Sequence, residues 1–306
     1  MRALILRRLL TAVPTLLAVI ILSFVLMKVA PGGPFDGERA LDPATQAALA
    51  RTYGLDLPLH EQIWRYLTRI AQGDFGPSLV YRDFTVTDLV AQGLPVSLTL
   101  GALALLVALI LGIGIGLWAA ARAGGAVDHG LMLGMTVLTA LPSFVTGPLL
   151  ALIFGLWAGW LPVSGWGDGD PAHLALPVLA LALPVAGAIA KLARAGLATA
   201  LAQDHVRTAR ARGLSPARVL ARHALRPALV PVASYLGPAT AGLLTGAVVI
   251  ETVFALPGLG SYFVQGALNR DYPLVLAVVT LYAALILLFN LVADLAYGWL
   301  DPRIRG

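Results

Sequence analysis

Cysteine is absent from the 306 residues, and lysine occurs only at Lys28 and Lys191. The first absence removes disulfide frameworks and thiolate chemistry and leaves the redox compartment unread. The second removes a phosphate-binding loop, because neither lysine follows the glycine that such a loop requires. Charge of either sign is scarce: 12% of residues are charged, against about 25% in soluble domains. With 58% hydrophobic residues and a mean hydropathy of +0.84, the chain reads as an integral membrane protein. His60, His129, His173, His205 and His223 show no metal-ligand spacing, so no metal is expected. The net charge of +5 gathers where membrane topology places positive residues, so lipid is an expected partner and nucleic acid is not.

What is present is a series of long apolar runs. Leu9 to Ala30 is apolar except for Lys28 and follows Arg2, Arg7 and Arg8. Its length fits a retained span, kinked at Pro14, rather than a cleaved signal peptide. Further spans are expected at Leu94–Ala121, at about Leu131–Trp157 broken by Pro142 and Pro148, and at about Ala172–Ala190 interrupted by Pro177 and Pro184. The last two are expected at Pro227–Ile250 and Tyr272–Leu300, and the external segment from Glu251 to Asp271 between them contains the turn-rich LPGLG and NRDYP. Gly112 with Gly116, and Gly242 with Gly246, have the spacing of close helix packing. The first pair overlaps a G-x-G-x-G run that lacks the strand and turn of a dinucleotide site.

Counting Lys and Arg by this arrangement places fourteen on the N-terminal side and six on the other, with Lys28 inside the first span. That bias predicts six crossings with both termini cytoplasmic. The divisions are 1–30, cytoplasmic N-terminus and first helix; 31–93, an external domain; 94–300, the core of helices 2–6; and 301–306, a cytoplasmic tail. The external segment carries five arginines against eight acids, among them Asp56, Glu61 and Asp74. One helix is expected from Asp42–Pro43 to Gly54, and another carries an apolar stripe of Leu59, Ile63, Tyr66, Leu67 and Ile70. This domain serves either as a cap over the membrane helices or as a receiver for an external partner.

The stretch Gln203–Arg226 carries six arginines, at 207, 210, 212, 218, 222 and 226, against one acid, Asp204. Gly213 can cap one short helix in the left-handed conformation, and Ser215–Pro216 can open a second. On that second helix Arg218, Arg222 and Arg226 recur every four residues. A loop that only set orientation would need none of this punctuation, so the pair is read as a docking surface.

Bond-making and ion-coupled chemistry is poorly provided for. Lys28, Glu251 and Asp294 lie toward span ends, where interfacial pairing suits them better than a proton relay. Ser143 and His173 form no nucleophile–base motif. The chain is therefore read as a non-enzyme, and energy for uphill transport has to come from another chain.

The segments RTARARGL (Arg207–Leu214) and RHALRPALVPV (Arg222–Val232) resemble the EAA loop of ABC-transporter permeases, in the variant of the peptide and nickel import branch. Arg207 and Thr208 stand where the general motif has Glu and Ala; Ala209 and Gly213 keep its pattern. APGGPFDGERAL, GDFGPS, YRDFTVTDLVAQGLPVS, LPSFV, GPATAGLLTGAVVIETVF, LPGLG, ALNRDYPLVL and DPRIR extend the likeness, favouring B-type permease subunits of oligopeptide importers over dipeptide, glutathione and nickel relatives.

The resemblance implies an all-α polytopic membrane protein with the type I ABC importer permease fold. A small helical periplasmic domain would follow helix 1, and a cytoplasmic coupling helix pair would join helices 4 and 5. It further implies a homologous C-type permease, two ABC ATPase subunits that bind ATP and magnesium, and a periplasmic or lipid-anchored peptide-binding protein, in a bacterial inner membrane. No cofactor is implied for this chain. Arg207, Thr208, Ala209, Arg210, Gly213, Leu214, Arg218 and Arg222 would form the ATPase-coupling surface, seated in an acidic groove. Asp56, Glu61 and Asp74 are candidates for docking the binding protein. A secondary carrier working alone and a membrane-anchored scaffold are the rival readings.

Overall fold

The computed structural model describes residues 2–29, 51, 54, 56–81 and 83–300. Among them the helices run in the order α1 (Arg2–Val29), α2 (Leu59–Ala71), α3 (Val86–Ala121), α4 (Ala126–Ala140), α5 (Ser143–Leu150) and α6 (Pro171–Leu201). Then come α7 (Asp204–Ala211), α8 (Pro216–Val219), α9 (Leu225–Ala228), α10 (Val230–Val253), α11 (Leu259–Leu268) and α12 (Tyr272–Leu300). The helix expected between Asp42 and Gly54 lies largely outside the described residues, as does the 301–306 tail.

Five helices, α1, α3, α6, α10 and α12, are long and apolar enough to cross a membrane. A sixth crossing requires α4 and the segment Ser143–Trp157 to be taken together, and these bend by 103° at the Leu141–Pro142 break. The expected third span is thus two arms. The second continues past Pro148 as a wide π turn over Ala151–Trp157.

Other boundaries also move from their expected places. The second span begins at Val86, eight residues before Leu94, because Thr85 and Asp88 cap it reciprocally. The Thr85 N–H donates to Asp88 Oδ2 at 2.9 Å, and the Asp88 N–H to Thr85 Oγ1 at 3.1 Å. The fourth span starts where expected, with Asp170 accepting from the Ala172 N–H and Pro171 in the first turn, but it runs to Leu201. Pro177 and Pro184 sit inside it without ending it, and α1 likewise continues through Pro14. Between the turns at LPGLG and NRDYP, the segment after Glu251 forms the ten-residue α11.

The chain divides into two compact units. The first comprises residues 1–8, 98–256 and 286–306. Its helices approach closely where side chains vanish: a Cβ on Gly112 would strike Ile189, and one on Gly116 the carbonyl of Ala190. Gly187 meets Met135 and Thr139 in the same way, and Gly196 meets Ala228. Of the other expected pair, Gly246 touches Leu181 but Gly242 faces open space.

The second unit comprises residues 9–97 and 257–285. Its core holds Val86, Leu89, Val90, Leu259, Leu274, Ala277 and Val278. Gly258 gives α11 no capping side chain, so Ser97 supplies the acceptor, taking the Leu259 N–H at 2.9 Å. Asp271, fully buried, accepts from the Ser78 hydroxyl and from the N–H groups of Val80 and Leu274, both at 3.3 Å. The carboxylate thereby ties the 78–81 turn to the start of α12.

Candidate functional site

The basic stretch folds as a helix pair with a two-bond cap between its members. Gly213 takes φ +75°, its N–H donates to the Arg210 carbonyl at 2.9 Å, and the Leu214 N–H reaches back to Ala209 at 3.3 Å. This closes α7 as the glycine predicted. Ser215 is extended and Pro216 opens α8, but the Ser215 side chain makes no capping bond; its carbonyl accepts from Val219 instead.

The second member is longer and less regular than the sequence suggests. From α8 the chain passes through a π turn, Leu220–Ala224, into α9. Pro227 has no N–H for the His223 carbonyl four residues back. That carbonyl is met instead by the His205 Nε2 of α7 at 3.1 Å. The two members are therefore joined by a side chain as well as by the turn.

Exposure separates the eight predicted coupling residues. Arg207, Thr208, Arg210, Gly213, Arg218 and Arg222 are exposed, Leu214 is half-buried, and Ala209 is buried. The Thr208 hydroxyl donates to the Asp204 carbonyl within its own helix at 2.9 Å. Beneath the arginines, Val206, Ala209, Val219, Ala224 and Ala228 pack with Ala120, Leu197 and Ala200. Burial of each valine contributes about 1.5–3 kcal/mol. The pair is a basic outer face on an apolar mount formed by the ends of α3 and α6.

A second feature is hidden in the sequence, where Lys191 and Arg194 count with the basic stretch. Both lie on α6. Arg194 forms two bonds with Asp128 of α4, Nε to Oδ1 at 2.8 Å and Nη2 to Oδ2 at 2.6 Å, and the Gly124 N–H adds a third at 2.9 Å. Asp128 is 1% exposed. Seven residues along each helix, Gly187 lies against Met135, so α4 and α6 are held at two levels of one antiparallel register. An acid beside Gly124–Gly125, facing an arginine among small residues, was the available signal.

The external candidates belong to the second unit. Asp56 and Glu61 are exposed. Asp74 accepts from the Gly76 N–H at 2.8 Å and from Arg69 Nε at 2.9 Å, and these partners hold its carboxyl below the usual range. Of the three charged groups near span ends, Asp294 pairs with Arg8 at 2.7 Å, Glu251 is fully buried, and Lys28 lies in the last turn of α1. Among the described residues no group of His, Cys, Asp and Glu could hold a metal ion.

Residues 112–306 match the family described as the binding-protein-dependent transport system inner membrane component, and residues 1–100 match its N-terminal companion. The chain belongs to this permease family. The permease is 46% identical to the oligopeptide transport system permease protein OppB of Haemophilus influenzae, over 98% of each chain. It is 47% identical to OppB of Escherichia coli K12, again over 98% of each. Against the dipeptide transport system permease protein DppB of Bacillus subtilis the identity is 41%, over 95% of this permease and 94% of the relative. The crystal structure of an amino acid ABC transporter aligns with a TM-score of 0.56 and 19% identity, covering 69% of this permease and 94% of that chain. That likeness speaks for the fold, an all-helical ABC permease fold. The permease is accordingly a multi-pass inner-membrane transport subunit.

Proposed function

We propose that the permease forms one half of the translocation pathway of an ATP-driven oligopeptide importer. The observation that carries the substrate is the 46–47% identity to oligopeptide permeases along nearly the whole chain, against 41% and 37% to dipeptide permeases. Its partners are a C-type permease, two ATPase subunits that bind ATP and magnesium, and a periplasmic or lipid-anchored peptide-binding protein. Hydrolysis belongs to the ATPases; this chain makes and breaks no bonds. Both termini are cytoplasmic, which puts the basic pair on the same side as the ATPases.

Arg207, Arg210, Arg218 and Arg222 meet an acidic groove on one ATPase, while Ala209, Gly213 and Leu214 shape the element that carries them. A pair fixed to α6 by its apolar underside passes on a rigid-body push that a free loop would absorb. Asp56 receives the binding protein, Glu61 lies on the outward face of α2 apart from that contact, and Asp74, already engaged by Arg69 and Gly76, orders the turn that follows α2.

Mild purification of a tagged copy from native membranes tests the assembly. Recovery of a second permease, two ATPases and a peptide-binding protein, with ATP-dependent uptake of oligopeptides in vesicles, is the expected result. Uptake restricted to dipeptides would transfer the chain to the dipeptide reading, and co-purification of a nickel- or glutathione-binding protein would overturn the substrate. A lone homodimer moving solute without ATP would overturn the mechanism.

A further inference from the structure

By sequence α2 falls in an external domain, yet its buried stripe packs deep along two apolar helices. Tyr66 lies in a cluster with Ile20 of α1 and Leu276 of α12. Its ring meets Phe24 edge-on at 5.2 Å, and its hydroxyl is 3.2 Å from Thr280 Oγ1. A helix rises 1.5 Å per residue, so Phe24 lies about 6 Å and Ile20 about 12 Å deeper than Lys28, the charged residue that closes the apolar run of α1. Counted from Tyr272, where α12 begins, Leu276 and Thr280 lie about 6 and 12 Å in. The two helices independently place Tyr66 in one layer.

At that layer α1 presents Ile21, Leu22, Val25 and Leu26 to the surroundings, each at least 36% exposed, a surface suited to acyl chains and not to water. The outward face of α2 carries His60, Glu61, Trp64 and Arg65, all exposed, and Trp64 is 68% exposed. A helix with one apolar and one charged face settles about 5–10 Å into the boundary between headgroups and acyl chains. Tryptophan favours that boundary, and arginine reaches from it to phosphate along its apolar stem.

We propose that α2 is a membrane-interface helix whose outward face, centred on Trp64 and Arg65, seats in the phospholipid headgroup layer on the Lys28 side. Trp64 lies among the glycerol and carbonyl groups, and Arg65 and His60 meet lipid phosphate. α2 is thereby anchored beside α1 and α12 and does not stand free in water. The proposal goes beyond the importer reading and does not depend on the substrate or on the coupling surface.

This chain has no cysteine, so single-cysteine variants of it are labelled specifically once any cysteines of the partner subunits are replaced by serine. Thr68→Cys and Arg65→Cys, which leave Trp64 in place, and Asp83→Cys as an aqueous reference, are labelled in the assembled transporter. The complexes are placed in vesicles of phosphatidylethanolamine and phosphatidylglycerol, and collisions with oxygen and with a water-soluble nickel chelate are measured. The expected oxygen-to-nickel ratio at 65 and 68 is several-fold above that at 83, at headgroup depth. A ratio equal to that at 83 places the face in water and overturns the proposal. Shielding from both reagents, relieved only when a partner subunit is removed, assigns the face to protein and overturns it equally.

Discussion

His205 donates its Nε2–H to the main-chain carbonyl of His223, 3.1 Å away and 18 residues along the chain. The carbonyl can only accept, so the proton is on Nε2. Because Pro227 leaves that carbonyl without its helical donor, a side chain on α7 completes the hydrogen bonding of the second member and fixes the angle between the two.

His205→Ala removes one hydrogen bond, about 1 kcal/mol net, at a site that water can reach. Faster amide exchange across 204–228 is expected, together with a fall in peptide imported per ATP hydrolysed. His205→Gln, which restores a donor near the same place, recovers both. Equal exchange in wild type and His205→Ala would show that the turn alone sets the angle.

Gly213 stands at φ +75° with no heavy atom within 4 Å of an added Cβ. The cost of a side chain there is therefore conformational and not steric. Gly213→Val places a β-branched residue in the left-handed region, at about 1–3 kcal/mol. Uptake falls while the complex still assembles, and ATPase activity is no longer matched to transport. Gly213→Asn, tolerated at positive φ, retains most of the uptake. A Gly213→Val complex importing at the wild-type rate would remove Gly213 from the coupling element.

Asp128 and Arg194 join α4 to the helix that carries the basic pair. Asp128→Asn keeps the shape but removes the charge that two guanidinium bonds require. A lower melting temperature and a several-fold loss of uptake are expected, with less loss for Arg194→Lys, which keeps the charge but not the fork. The check is uptake and thermal unfolding measured on the same detergent preparations. Loss of stability with uptake per folded complex unchanged would confine the pair to structure.

Burial, opposed in part by the Thr280 hydrogen bond, pushes the Tyr66 phenol up to about 12. Since the folded pKa lies above the ordinary value of 10, the contribution is intact below pH 10 and is lost as the pH rises toward 12. Two units correspond to about 3 kcal/mol. Wild type should lose stability over that interval more steeply than Tyr66→Phe, which has no proton to release. Coincident unfolding curves for the two between pH 10 and 12 would contradict this.

Local physics made much of the molecule legible in the residues alone. Apolar length set the spans at α1 and α12, and Asp170–Pro171 set the start of α6, because hydropathy and capping act within a few residues. The cap at Gly213 belongs with these, since a positive φ is a property of one residue's own backbone. The T-x-x-D start of α3 is equally local, though the apolar run behind it draws the eye to a later beginning. Tertiary packing decided the rest. That α6 continues through Pro177 and Pro184, that Ala209 turns inward under Arg207 and Arg210, and that Asp128 finds Arg194 depend on partners many residues away. So does the depth of α2, set where Tyr66 meets Ile20 and Thr280, 46 and 214 residues distant. Hydropathy records that a residue avoids water; which surface shelters it is chosen only when the helices pack.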